Sequence, residues 1–177
     1  MLSIIGLSTS HEALGTLLFV VTIESQLDDI SAPALSRFLQ RARRAAQVSG
    51  QAHVLIVSNA RIQTLNRKFR GKQKPTDVLS FPAVAEVADR FAGDIVISGD
   101  MAKANARSLG HPVAEELKVL MLHGLLHLGG HDHESDNGEM AGLELRLRKQ
   151  LGLRDGLIER SVPRSASRAP RPSRRRR

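Results

Sequence analysis

The chain has 177 residues, 41% hydrophobic and 25% charged, which suits one globular domain with a real core and is too short for two ordinary ones. Cysteine is absent, so disulfides and thiolate metal sites are excluded, histidine is the only soft ligand, and a reducing cytoplasm is the expected compartment. The net charge of +8 misleads about partners: seven arginines and no acid lie between Ser161 and Arg177, and the rest of the chain carries 19 basic against 18 acidic groups.

Residues 1–16 read as an N-terminal extension. The first 21 residues are fairly apolar but have no basic leader and are broken by His11 and Glu12, so neither a signal peptide nor a membrane span is expected. Leu17 to Ile23 is compact and β-branched, a first strand. Pro33 opens a helix to about Val48, with Leu35, Phe38, Leu39 and Ala42 on one face and Arg37, Arg41, Arg43 and Arg44 on the other, read as a solvated face.

His53 to Val57 reads as a buried strand, and Ser58 or Asn59 caps a helix that turns Ile62, Leu65 and Phe69 inward. A polar loop through Lys72, Lys74 and Pro75 leads to the strand Asp77 to Phe81, which Pro82 assigns to a sheet edge. Alanine-rich residues 83–92 form a loop before the strand Asp94 to Ile97. Ser98 caps a helix that Gly110 closes. Pro112 opens the next, with Glu115 and Glu116 in its positive first turn and Leu117, Leu120, Met121 and Leu125 as its core stripe. A last helix runs from about Asp136 to Leu151, with Met140, Leu143, Leu147 and Leu151 inward.

This order predicts one α/β or α+β domain over residues 17–158, a small four-stranded mixed sheet packed with four to five helices. Residues 159–177 are expected to be a disordered arginine-rich tail, either a non-specific phosphate grip or a solubilising appendage. With no tryptophan or tyrosine, a stacking platform for bases has to come from five phenylalanines, histidine or arginine, and the near-neutral core gives little sign of an RNA groove.

Four of the seven histidines fall between His123 and His133. His123 and His127 share one helix face, and Gly129 and Gly130 end the helix so that the chain can fold back. Three imidazoles converging there make an open zinc site of the catalytic kind, in which a metal lowers the pKa of water to about 7. Spacing alone leaves His131 and His133 as alternatives for the third ligand. Zinc proteases carry a glutamate after the first histidine as general base; here that residue is Gly124, which argues against peptide hydrolysis. Asp132 and Glu134 are placed to orient the histidines, or to face solvent.

The run His123-Gly-Leu-Leu-His127-Leu-Gly-Gly-His131-Asp-His133 resembles the H-G-x-L-H-L-x-G-[aromatic]-D-H motif of the YbeY family, bacterial rRNA maturation factors regarded as zinc-dependent endoribonucleases. A second block matches separately, from Leu65 through Arg70-Gly71-Lys72 and from Pro75 through Pro82. The resemblance covers roughly residues 17–155. It implies one Zn2+ held by His123, His127 and His133, with His131, at a position where the family usually has tyrosine or another residue, not a ligand. It also implies a functional Arg70, which suits a guanidinium gripping the scissile phosphate through paired hydrogen bonds, with Lys72 and Lys74 as flanking phosphate contacts.

The implied activity is single-strand-specific cleavage in rRNA maturation, at the 16S 3′ end, and in ribosome quality control. The implied partners are rRNA, the small ribosomal subunit, and ribosomal-protein or GTPase assembly factors, with no membrane. The alternatives are a non-catalytic zinc-containing assembly factor, or a metallohydrolase of another substrate.

Overall fold

The computed structural model describes residues 21–133 and 136–154; the expected extension, the tail and Glu134 lie outside them. Four strands form one sheet: β1 (Val21–Ile23), β2 (Gln51–Val57), β3 (Val78–Pro82) and β4 (Phe91–Ser98). Their order is β1-β2-β4-β3, with β1, β2 and β4 parallel and β3 antiparallel to β4. Pro82 therefore stands on an edge strand, where its missing N–H costs no ladder bond. Of the expected first strand only Val21–Ile23 is described, and β4 begins at Phe91, earlier than Asp94, because Gln51 already pairs with Phe91.

β2 is a continuous apolar run because both its faces are covered. Val54 and Ile56, with Ile95 and Ile97 of β4, belong to the larger core. Leu55, Val57 and Val96 face the other way, with Leu79 and Phe81 of β3 and Ile62 and Leu65 of the helix between β2 and β3.

Five helices pack on this sheet: α1 (Ala32–Ala45), α2 (Asn59–Arg70), α3 (Gly99–Leu109), α4 (Val113–Leu128) and α5 (Glu139–Leu151). Serine caps begin three of them. Ser31, Ser58 and Ser98 accept from the backbone N–H of Ala34, Arg61 and Met101. Ser98 also donates to Asn59 Oδ1 at 2.7 Å, and Asp100 Oδ2 accepts from the Asn59 backbone N–H at 2.7 Å, which ties the starts of α2 and α3 together.

Glu116 stands in the first turn of α4 as expected, and there it is fully buried, takes Asn105 Nδ2 at 3.1 Å, and lies 3.3 Å from His111 Nε2. Three expectations need correction. Arg43 is not a solvated side chain; its guanidinium donates to the Val48 carbonyl at 2.9 Å and closes the turn after α1. The last helix starts at Glu139, not Asp136, because the Asp136 carboxylate caps it by accepting from Gly138 and Met140. Phe69 is not inward: it is 42% exposed, and Asn66 takes the buried position instead.

The core stripe of α4 extends nearly all the way round, with Val119, Leu122 and Leu126 buried beside the expected residues. Such a helix belongs in the interior. It packs against the sheet, α1, α3 and α5, and it carries the histidines.

Candidate metal centre

α4 ends in a glycine reversal. Gly129 follows the last helical residue, Gly130 adopts φ +86°, and the His131 N–H returns to the Leu126 carbonyl at 3.0 Å. The reversal carries the chain back over the helix end and brings His133 to the pair on α4.

The ring of His133 lies 5.4 Å from that of His123 and 5.2 Å from that of His127, centroid to centroid. One nitrogen from each of the three can be chosen so that all lie within 4.8 Å of one another. His123 Nε2 and His127 Nε2 are 3.2 Å apart, close to the ~3.3 Å separation of two imidazole nitrogens on one tetrahedral zinc at ordinary bond lengths. All three rings are half-buried, so the cluster opens to solvent on one side. The donor set fits a divalent transition ion of zinc type.

His123 is held from behind. Its Nδ1 lies 3.1 Å from Glu144 Oε2 on α5, and Arg148, one turn further on, donates to Glu144 Oε1 through Nε at 3.1 Å and through its terminal nitrogen. Burial pushes the Glu144 carboxyl up, but the hydrogen bond and charge of His123 together with the Arg148 guanidinium outweigh it, and the net shift is downward. An ionised carboxylate only accepts, so Nδ1 of His123 carries the proton and Nε2 presents its lone pair to the cluster. His127 is held below the ordinary imidazole range by burial first and by its two histidine neighbours next, which keeps it neutral and able to ligate.

Sequence reading misses Glu144 and Arg148. The signal is present: both sit among the inward positions of α5, where Met140, Leu147 and Leu151 are buried. Asp132, expected near the third histidine, is exposed with Oδ1 3.9 Å from His133 Nδ1.

Gly124 faces the sheet. A Cβ there would lie 2.7 Å from Ile95 Cγ2, and the Gly124 carbonyl accepts from Ser80 Oγ of β3 at 3.2 Å. The position of the protease glutamate is therefore filled by the sheet itself.

Arg70 ends α2, exposed, and Lys72 and Lys74 stand exposed in the loop after it. α2 covers the sheet face opposite the one that α4 covers. Two adjacent residues of β3 bridge the two sides. Phe81 touches Phe69 of α2 with ring centroids 5.1 Å apart, and Ser80 bonds the neighbour of His123.

A mixed four-stranded sheet with three imidazoles gathered from one helix and its following turn defines a single-domain α/β protein with a histidine cluster able to hold a metal ion. Residues 20–152 match the family described as Endoribonuclease YbeY, and the chain belongs to that family. The Endoribonuclease YbeY of Koribacter versatilis is 52% identical over 143 residues, 81% of this chain and 92% of that protein. The one from Solibacter usitatus is 48% identical over 128 residues, 72% of this chain and 84% of that protein. The solution structure of TM1509 from Thermotoga maritima matches with a TM-score of 0.50 and 28% identity, covering 74% of this chain and 88% of that one. No helix among the described residues is long and apolar enough to cross a membrane.

Proposed function

We propose that this chain is a zinc-dependent, single-strand-specific endoribonuclease that acts on rRNA of the small ribosomal subunit, at the 16S 3′ end, in maturation and quality control. Its partners on this reading are rRNA, the small subunit and its ribosomal-protein or GTPase assembly factors, in the cytoplasm. The observation that carries the reading is the convergence of His123, His127 and His133, with one lone pair aimed by Glu144, in a chain of the Endoribonuclease YbeY family.

His123, His127 and His133 would hold the ion, which supplies a Lewis acid toward an oxygen on phosphorus. The protein's own residues do the rest. Glu144 holds the Nδ1 proton of His123 and fixes its ring. Arg70 grips a phosphate through two parallel hydrogen bonds and offsets charge that builds on it. Lys72 and Lys74 position the backbone on either side.

Cleavage of single-stranded RNA by wild type, Arg70→Ala and His127→Ala, purified free of other ribonucleases, tests the reading. His127→Ala is expected to be inactive, and Arg70→Ala to lose about ten- to a hundred-fold, the worth of one charge-assisted contact. Equal cleavage by all three would sink it.

A further inference from the structure

The near-neutral charge of the folded part hides a local concentration. Residues 59–76, α2 and its following loop, carry Arg61, Arg67, Lys68, Arg70, Lys72 and Lys74 and no acid. The loop is held against the helix: Gln63 Nε2 donates to the Gln73 carbonyl at 2.8 Å, and buried Asn66 donates to the Lys74 carbonyl at 2.7 Å. The basic strip is thus organised before any partner arrives, which lowers the ordering cost of binding.

Phe69 stands in the middle of this strip. Its ring is 42% exposed, whereas Phe38 and Phe81 are buried and Phe91 is half-buried. Among the described residues it is therefore the one aromatic ring of the class that stacks bases and is open to solvent, in a chain without tryptophan or tyrosine. Phe81 supports it edge-on, with 69° between the planes, and Lys68 Nζ lies 5.2 Å from its centroid. Phe81 and Lys68 anchor the ring and still leave it 42% exposed. α1 also carries four arginines and no acid, but its Phe38 is buried, so it offers charge without a ring.

A rigid aromatic face set among phosphate-binding cations is the pairing that recognises single-stranded nucleic acid, because every base has a π-face and only an unpaired base can present it. We propose that Phe69 is a stacking platform for one unpaired base of an RNA strand whose backbone follows Arg67, Arg70, Lys72 and Lys74. The inference rests on the RNA reading above and adds the element that selects single strands over duplex.

Because the chain holds no tryptophan, Phe69→Trp places a lone emitter at this ring. The zinc-loaded full chain is titrated with a short 2′-O-methyl oligoribonucleotide, which resists cleavage, as single strand and as duplex. The single strand should quench the indole emission of Phe69→Trp in step with binding, and the duplex should leave it unchanged. Phe69→Ala should weaken single-strand binding about five- to a hundred-fold at constant salt slope, and Phe69→Trp should keep it. Arg70→Ala should instead lower that slope by about one. Binding with unmoved indole emission, or Phe69→Ala affinity within about two-fold of wild type, overturns the platform and leaves the RNA reading standing. Failure of the wild type to bind the single strand overturns both. Quenching by polyglutamate but not by RNA would make the strip a dock for an acidic protein and would also overturn it.

Discussion

Glu144 Oε2 lies 3.1 Å from Nδ1 of His123, so a residue on α5 decides which nitrogen of a histidine on α4 is free to bind metal. An amide at this place can donate to Nδ1 as well as accept from it, so Glu144→Gln no longer fixes the tautomer. It is expected to lower zinc affinity about 10–100-fold, measured by chelator competition. Glu144→Ala also leaves Arg148, 4% exposed, without its carboxylate, at a cost of about 3–5 kcal/mol in urea unfolding of the metal-free protein. Wild-type affinity in both Glu144→Gln and Glu144→Ala would show that the contact holds α5 in place and nothing more.

Gly124 is set by the approach of α4 to β4. A Cβ at 2.7 Å from Ile95 Cγ2 cannot be accommodated without a shift of helix or side chain. Gly124→Ala is expected to destabilise by about 1–3 kcal/mol by overpacking, although alanine is intrinsically about 1 kcal/mol better in a helix. Gly124→Glu, which would complete the protease pattern, should do worse and gain no peptidase activity. Ile95→Ala should recover part of the loss in the double variant, a coupling that chemical unfolding of the four proteins measures.

Those two positions also mark what is and is not legible in the sequence. The serine caps, the edge strand ending at Pro82 and the glycine break after α4 are local signals, and the structure has them where the residues put them. Phe69 misleads because the apolar spacing of Ile62, Leu65 and Phe69 points inward on an isolated helix. In the fold, the last turn of α2 lies beside edge strand β3, and the ring meets Phe81 edge-on instead of entering the core. Glu144 stands at an inward position of α5, but its partner is 21 residues away on another helix, and no periodicity records a tertiary hydrogen bond, so the sequence marks the face and not the contact. Asp136 passes for helix because a capping residue and a first-turn residue are alike in sequence.

His53 and His127 set the acid side of stability. Burial lowers the His53 pKa, with Asp94 at 3.8 Å pulling the other way, and His127 is also lowered. As pH drops below about 6.5 the unfolded chain takes up protons that the folded chain refuses, so stability rises with pH in that window and is lost on acidification. The Tm of the metal-free protein should fall between about pH 7 and pH 5, and His53→Gln should flatten part of that fall. A Tm that rose on acidification would contradict the direction of both shifts.

His131 and His133 are two residues apart, yet the glycine reversal gives them different tasks. The His131 N–H closes the helix end by bonding the Leu126 carbonyl, whereas the His133 ring stands against both helix histidines. His133→Ala removes a donor from the cluster and should cost more than the about 10–100-fold expected for an outer partner such as Glu144. His131→Ala and the wild type should each retain about one zinc per chain after dialysis, because the His131 backbone bond survives the substitution. Metal content by mass spectrometry of the two variants side by side decides the matter. Loss of zinc from His131→Ala and its retention in His133→Ala would mean that the site closes on the other side of Asp132.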